Sequence, residues 1–277
     1  MKKILLLSIV LLQLQYTNAS RIVTDSIYSD TLKSWVKYNV YLPNGYNVKN
    51  STYPVLYLLH GLSDNYTAWD KMGKISWVAD ELITSGEAKS MIIIMPNAGD
   101  ADIRNVHCGY FNVPEWNYEN FFFTEFIPTI EKKYNAGGKK ELRAISGLSM
   151  GGGGSIVYCQ RHPEIFNSCY AMSPWLEESS ALRSNVIDAY YYTVKSVYEH
   201  SAIKFLENAT DAQKQQLRSV RWFIDCGDDD FLAESSERMH MAMRKNGIPC
   251  EFRIRNGIHN WEFWHTALRF SLPFAFK

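Results

Sequence analysis

The sequence predicts an α/β fold built on a doubly wound, mostly parallel sheet with helices on both faces. Short apolar runs that end in glycine, such as YPVLYLLHG and SMIIIMPNAG, are typical of strands buried on both faces of a sheet. Helical patterns alternate with these runs along the chain. Strands that alternate with helices favour a parallel sheet with helices packed on either side.

The individual elements follow in order. RIVTDSIYSD and SWVKYNVYLP alternate apolar and polar residues, as strands with one exposed face do. Further buried strands are predicted in ELRAISG, RWFIDCG and CEFRIRNG. Helices are predicted in SWVADELITSGE, YENFFFTEFIPTIEKKY, the segment after Ser149, and AESSERMHMAMRKNG, whose final Lys245-Asn246-Gly247 is a C-terminal stop signal.

One stretch, residues 176–219, breaks the alternation and predicts helices inserted above the sheet. A separate domain there would have few residues with which to build its own core. The chain has 277 residues, a length that suits one large α/β domain, and it contains no repeat or Pro-rich linker. We therefore expect a single domain over residues 20–277 that carries this insertion.

The N-terminus, MKKILLLSIVLLQLQYTNAS, has two lysines, an apolar run and a small-residue end. This pattern predicts a signal peptide over residues 1–19 with cleavage near Ala19. The apolar run is too short to span a bilayer comfortably, and no later stretch is long and apolar enough to do so. The sequence thus predicts a secreted or periplasmic protein that is free of the membrane after cleavage.

Composition excludes several classes of function. The 29 basic and 29 acidic residues balance, so no overall field attracts nucleic acid or an anionic membrane. The five cysteines include no C-x-x-C spacing, which argues against zinc or thioredoxin-type chemistry. Cys226 and Cys250 fall at opposite ends of neighbouring parallel strands, so this pair is not expected to form a disulfide. We expect packing roles for cysteine, and neither a metal nor a cofactor.

Gly147-Leu148-Ser149-Met150-Gly151 matches G-x-S-x-G, the nucleophile elbow, in which a serine stands on a sharp strand-to-helix turn. Glycine at the flanking positions removes collisions with neighbouring elements. A strand is predicted before Ser149 and a helix after it, as the motif requires. We expect Gly152 to Gly154 to let the helix pack closely beside the sheet, but the sequence does not show why all three are needed.

A serine nucleophile needs a base, and His259 is the candidate. It follows the last predicted strand in RNGIHNWEFW, and loops at the carboxyl ends of strands are where doubly wound sheets place their sites. The other histidines are predicted at helix ends, in helices, in the insertion, in an irregular loop or at the end of a strand.

The third member of such a triad is an acid, and FIDCGDDDFL offers four. Asp225 lies within a strand and is expected to be structural. Among the three that follow, the pattern favours Asp230 over Asp229, because burial of Phe231 and Leu232 could anchor it. The order Ser, Asp, His is that of α/β-hydrolases.

The oxyanion of an acyl-transfer intermediate needs two hydrogen-bond donors. One is expected from the N–H of Met150, directly after the nucleophile. The other is expected from the turn after the third core strand, LLHGLSDN, where Gly61 would let the backbone approach closely and Leu62 would supply its N–H.

Four blocks of the chain, YPVLYLLHGLSDNYTAWD, ISGLSMGGGGS, CGDDDFL and GIHNWEFW, resemble those of the esterase D-like α/β-hydrolases. This family includes feruloyl esterases, acetyl xylan esterases and mycolyltransferase-like proteins. The resemblance runs from about Val40 to the C-terminus and implies an α/β-hydrolase fold. It places the acid on Asp230, the nucleophile on Ser149 and the base on His259, and it matches Leu62 and Met150 to the oxyanion positions.

The resemblance implies a secreted serine esterase that removes feruloyl or acetyl groups from plant-type polysaccharides. Its substrates would be acylated polysaccharides, oligosaccharides or small aromatic esters. Trp69, Trp175 and Trp261 are candidates to contact substrate, although each could instead be packed. Two alternatives stay open: an acyltransferase of mycolyltransferase type, and a carbohydrate-binding protein without catalysis on the same scaffold.

Overall fold

The computed structural model describes residues 19–49, 52–99, 102–177 and 185–277. The predicted signal peptide therefore lies outside the described residues except for Ala19. Within the described residues, no helix has both the length and the apolarity that a bilayer crossing needs.

A central sheet of eight strands has the order β1-β2-β4-β3-β7-β8-β9-β10. The first two strands form an antiparallel hairpin, β2 pairs antiparallel with β4, and the strands beyond are parallel. A two-stranded ribbon, β5 with β6, lies apart from this sheet. The strands are β1 Arg21–Ser29, β2 Ser34–Leu42, β3 Val55–Leu59, β4 Ile92–Pro96, β5 Asn112–Val113, β6 Trp116–Asn117, β7 Arg143–Leu148, β8 Ser168–Met172, β9 Arg221–Gly227 and β10 Cys250–Arg255.

Helices cover both faces of the sheet. One core contains buried side chains of α5, α4 and α9, and the other contains those of α2 and α10. The predicted doubly wound α/β fold is confirmed. The helices are α1 Ala68–Lys71, α2 Ile75–Thr84, α3 Tyr118–Phe121, α4 Ile127–Tyr134, α5 Met150–Arg161, α6 Ala189–Glu199, α7 Ala202–Glu207, α8 Asp211–Leu217, α9 Ala233–Lys245 and α10 Trp261–Ala275, with a 3₁₀ turn at Lys140–Leu142.

Strand β8 is absent from the sequence prediction. Its residues, SCYAM, are all buried, but they include no β-branched residue and so carry little strand signal. Strand β10 was predicted among the fully buried strands and is instead partly exposed, because it forms one edge of the sheet.

The helix predicted in YENFFFTEFIPTIEKKY is interrupted. A π-helical turn, Phe122–Phe126, separates α3 from α4. Pro128 follows in the first turn of α4, and its ring has no N–H and crowds the carbonyl four residues earlier. A widened turn just before a proline relieves that crowding.

Helices α6, α7 and α8 lie between β8 and β9, where the sequence predicted an inserted helical region. The Asp188 side chain caps α6 by accepting from the N–H of Tyr191, and Thr210 with Gln213 forms a capping box on α8. Helix α7 packs against α5 and α9. The inserted helices are thereby tied to one face of the sheet.

Parallel strands place the loops that follow them at one edge of the sheet. The loops after β3, β7, β9 and β10 carry Leu62, Ser149, Asp230 and His259, in that order. This carboxyl edge is where open α/β sheets place their sites.

Candidate active site

Ser149 stands at a strained corner between β7 and α5. Its φ of 51° and ψ of −115° lie in a region that residues with a side chain rarely adopt. Three backbone hydrogen bonds hold it there. The Ser149 N–H donates to the carbonyl of Met172 at 2.9 Å, and its carbonyl accepts from Gly153 at 3.0 Å and from Trp175 at 2.9 Å.

Gly147 and Gly151, two positions before and two after Ser149, let neighbouring backbone segments approach closely. A Cβ at Gly147 would lie 2.5 Å from the carbonyl of Gly151, and one at Gly151 would lie 2.6 Å from the carbonyl oxygens of Leu59 and His60. Real Cβ atoms do not approach backbone this closely, so both positions require glycine.

Of the next three glycines, Gly152 and Gly153 also face backbone, whereas Gly154 faces a side chain. A Cβ at Gly152 would come within 2.9 Å of a carbonyl at the end of β8. At Gly153 it would lie 2.0 Å from the Trp175 carbonyl oxygen, and at Gly154 it would lie 3.0 Å from the Tyr110 ring. The first turn of α5 is thus wedged between β8, the segment that follows it, and an aromatic side chain.

His259 lies between Ser149 and Asp230. Its Nε2 is 3.0 Å from the Ser149 Oγ, and its Nδ1 is 2.8 Å from the Asp230 Oδ2. The Asp230 side chain is fully buried and that of His259 is 18% exposed. With the Nδ1 proton donated to the carboxylate, Nε2 is free to accept the serine proton.

Hydrogen bonds keep Asp230 ionised. Burial alone would raise the pKa of its carboxyl, but hydrogen bonds from His259, the Leu232 N–H and Ser173 hold the pKa below its usual value. The carboxylate therefore remains an acceptor at neutral pH and favours the imidazolium form of His259 when that form develops.

The remaining acids of this block have other roles. Asp225 is buried and accepts from Tyr170 and from Arg255, an arrangement that joins β8, β9 and β10. Asp228 accepts from the N–H of Gly257 at 2.9 Å, and Asp229 is exposed. The geometry therefore brings Asp230 to His259.

The sequence predicted that burial of both Phe231 and Leu232 anchors Asp230, and this is wrong for Phe231. Leu232 is buried, at 7% exposure, but Phe231 is 76% exposed. The acid is held instead by its own second oxygen, Oδ1, which accepts the Leu232 N–H at 2.8 Å.

Two backbone N–H groups are positioned beside Ser149. A Cβ on Gly61 would lie 3.7 Å from the Ser149 Cβ, so the turn that contains Leu62 adjoins the serine. Met150 begins α5, where backbone N–H groups have no intrahelical acceptor. In the described part of the chain, no hydrogen bond uses the N–H of Leu62 or Met150. Both amides are available to a developing oxyanion.

His60 holds this turn in place through buried hydrogen bonds, a role that sequence reasoning missed. The buried imidazole accepts the Ala98 N–H at Nε2, 2.9 Å away, and its Nδ1 lies 2.8 Å from the Gly61 carbonyl oxygen. The Tyr110 hydroxyl donates to the His60 carbonyl at 3.0 Å. The signal in the sequence was only that a histidine precedes Gly61.

Asp64 closes the same turn. Its N–H donates to the Gly61 carbonyl at 3.3 Å. Burial raises the pKa of the Asp64 carboxyl to about 6, against a smaller opposing effect of a hydrogen bond from the Gly61 N–H. The turn beside the serine therefore contains a carboxyl that titrates close to neutral pH.

Ser173 is a second residue that the sequence did not reveal. It is fully buried, and its Oγ accepts from the Trp264 Nε1 at 3.2 Å. Its hydroxyl also hydrogen-bonds to Asp230. Nothing in the surrounding AMSPW distinguishes it, since the contact depends on β8 lying next to β9.

The three candidate tryptophans differ in exposure. Trp69 is 1% exposed and donates to the Leu59 carbonyl at 3.0 Å, so it has no free face for a substrate. The interpretation of Trp69 as a contact residue is therefore replaced by a packing role. Trp175 and Trp261 are partly exposed, and the Trp261 ring packs edge-on against Trp69 and Trp264.

A hydrogen-bonded serine, histidine and carboxylate next to two free amides is an arrangement suited to acyl transfer through a covalent intermediate. Across the described ranges, no group of three or more His, Cys, Asp or Glu side chains is placed to hold a metal ion.

Comparisons with known proteins agree with this chemistry. Residues 29–275 match the model of the Esterase family, described as "Putative esterase". A solved structure named ferulic acid esterase is 46% identical, with a TM-score of 0.88, over 93% of this chain and 98% of the other.

A curated relative from Xylanibacter ruminicola, named endo-1,4-beta-xylanase/feruloyl esterase, is 28% identical over 94% of this chain. The match covers 32% of that protein, so the chain spans about a third of this relative's length. A diacylglycerol acyltransferase/mycolyltransferase Ag85B from Mycobacterium avium is 24% identical, over 79% of this chain and 74% of the other.

Proposed function

Because the chain belongs to the Esterase family of carboxylic-ester hydrolases, we propose that it is a serine esterase that removes feruloyl or acetyl groups from plant-type polysaccharides. In this proposal Ser149, His259 and Asp230 are the catalytic residues, and Leu62 and Met150 supply the oxyanion hole. A single domain over residues 20–277 carries them, and the protein is secreted or periplasmic after loss of the leader.

Acylation begins when the Ser149 Oγ attacks the ester carbonyl carbon and its proton passes to the His259 Nε2. Asp230 stabilises the imidazolium that results. The carbonyl oxygen becomes an oxyanion that accepts from the N–H groups of Leu62 and Met150. The intermediate collapses when the bond to the leaving oxygen breaks and His259 returns the proton to that oxygen, which releases the alcohol.

Water completes the cycle by the same route. His259 takes a proton from water, which attacks the acyl-serine, and the second oxyanion occupies the same two amides. The carboxylic acid leaves as His259 returns a proton to the Ser149 Oγ.

A single observation carries this proposal: the continuous hydrogen-bonded chain from the strained Ser149 through His259 to the buried Asp230, at 3.0 Å and 2.8 Å. A backbone forced out of its preferred region at a partly exposed serine is a feature of functional sites. The similarity to a ferulic acid esterase over nearly the full length of both chains supports the feruloyl group as substrate.

The test compares the wild type with Ser149→Ala on methyl ferulate and on p-nitrophenyl acetate. We expect kcat to fall by at least about a thousandfold in the variant, because the covalent step is removed. Circular dichroism and a thermal melt serve as the folding control. Undiminished turnover by a folded variant would rule out this mechanism.

Product analysis separates the alternatives. Wild-type enzyme incubated with a feruloyl ester and excess arabinose should release ferulic acid, whereas an acyltransferase of mycolyltransferase type would yield feruloylated sugar. A non-catalytic binding protein would retain xylan on a column and release no acid from either ester.

A further inference from the structure

Phe231 is a large apolar side chain exposed next to the proposed catalytic base. It lies in the loop between β9 and α9, and 76% of its surface is accessible. Its ring centroid is 4.5 Å from that of His259, with the planes tilted by 47°. A scattered exposed phenylalanine needs no explanation. This one packs on the imidazole that moves the proton, so its position calls for one.

Holding His259 in place does not require Phe231. Nε2 and Nδ1 of His259 are fixed by Ser149 and Asp230. The edge-on ring of the buried Trp264 contacts the imidazole at a centroid distance of 4.8 Å. Trp264 is in turn anchored through its Nε1 to Ser173. The imidazole therefore has hydrogen bonds at both nitrogens and a buried aromatic neighbour.

The proton path fixes which half of the ester lies near Phe231. His259 must return its proton to the leaving oxygen, so the alcohol half of the ester lies beside the imidazole. The carbonyl oxygen lies at the other side of the reacting carbon, toward the amides of Leu62 and Met150. Phe231 thus lies on the side of the site that the alcohol half occupies.

A second exposed apolar side chain adjoins His259 in the sequence. Ile258 directly precedes His259 and is 51% exposed. Aromatic and aliphatic surface that remains open beside a reacting group is suited to an apolar face of a ligand. A sugar ring offers such a face through its C–H groups and carries its hydroxyls around the rim.

We propose that Phe231 forms a leaving-group subsite that stacks on the sugar ring that bears the ester. This inference rests on the proposed esterase function and assigns a specificity-determining residue to it. Phe231 favours esters of sugars over esters of small alcohols, because methanol is too small to cover its ring.

The experiment measures kcat/KM for two feruloyl esters with the same acyl group, methyl ferulate and a feruloylated arabinoxylan oligosaccharide. In Phe231→Ala we expect kcat/KM for the sugar ester to fall about tenfold, mainly through a higher KM, a loss typical of one aromatic contact. For methyl ferulate we expect a change of less than about twofold.

Two further variants make the result specific. Phe231→Tyr keeps the ring and should restore the preference for the sugar ester. Trp35→Ala removes another exposed aromatic, 66% accessible, on β2 near the opposite edge of the sheet. This substitution should leave kcat/KM for both esters unchanged.

The outcomes separate this inference from the proposed function. Equal losses on both esters, or a shifted pH profile, would mean that Phe231 positions His259 and would overturn the subsite. No loss on either ester would overturn it as well. Wild-type enzyme that hydrolyses neither ester would overturn the proposed function first, and the subsite with it.

Discussion

The corner that follows β7 and the loop that follows β9 each contribute one side chain to the same hydrogen-bonded chain, but they are held in different ways. Backbone contacts fix the corner at Ser149, through glycines that no larger residue could replace. Side-chain hydrogen bonds fix the loop at Asp230, while its neighbour Phe231 stays exposed. Ser149 thus depends on steric fit, whereas Asp230 depends on polar contacts that leave the neighbouring Phe231 exposed.

The largest expected effect is on the loop after β9. Asp230→Asn keeps the shape of the side chain but removes the charge that stabilises the imidazolium and sets its tautomer. We expect kcat to fall by on the order of 10⁴-fold. Steady-state kinetics on p-nitrophenyl acetate measures this, with thermal melting to show that the fold is retained. A loss of less than tenfold would contradict the role given to Asp230.

A single methyl group added in the first turn of α5, next to the corner at Ser149, should destabilise the fold. In Gly153→Ala the new Cβ would lie 2.0 Å from the Trp175 carbonyl oxygen, which is backbone and cannot move alone. We expect destabilisation of about 3 kcal/mol, measured by urea unfolding.

Gly154→Ala is the matched control for that substitution. Its Cβ would lie 3.0 Å from the buried Tyr110 ring, which would have to move by a few tenths of an ångström, whereas the Cβ at Gly153 would meet backbone. Alanine also favours the helix by about 1 kcal/mol over glycine. We expect stability within about 1 kcal/mol of the wild type. Equal effects of the two substitutions would show that close backbone approach is not what requires glycine here.

A smaller effect on stability is expected in the turn after β3, where Gly61 lies close to Ser149 and Asp64 is a partly buried carboxyl. The Asp64 carboxyl has a pKa of about 6, raised from 3.8 by burial. The folded state therefore binds this proton more tightly than the unfolded chain, and stability falls as pH rises from about 4 to 6. Asp64→Asn cannot ionise and should raise stability at pH 8 by about 1 kcal/mol, after allowance for solvent screening.

The pH dependence provides the check on Asp64. Thermal melts at pH 8 and pH 5 should show a smaller gain at pH 5, where the wild-type carboxyl is mostly protonated. A gain of the same size at both pH values would assign the effect to packing and not to charge.

Much of the fold follows from local pattern, because buried strands and amphipathic helices have signatures within ten residues. Strand β8 lacked one, since small and sulfur-bearing residues can pack in any element. The positions of Ser149 and His259 at one sheet edge were predicted because each follows a strand. The exposure of Phe231 was not, because the DDDFL segment has no period to show which side chains turn inward. The contact of Ser173 with Asp230 depends on strand neighbours far apart in sequence.

The close contact between α5 and Trp175 defines where this scaffold can be re-engineered. The Trp175 N–H donates to the Ser149 carbonyl, and the Trp175 carbonyl lies against Gly153. A graft that exchanges the inserted helices for those of another hydrolase should keep the native chain through Trp175 and begin at Leu176. A junction placed one or two residues earlier would replace the residue whose N–H makes one of the three backbone hydrogen bonds that hold Ser149.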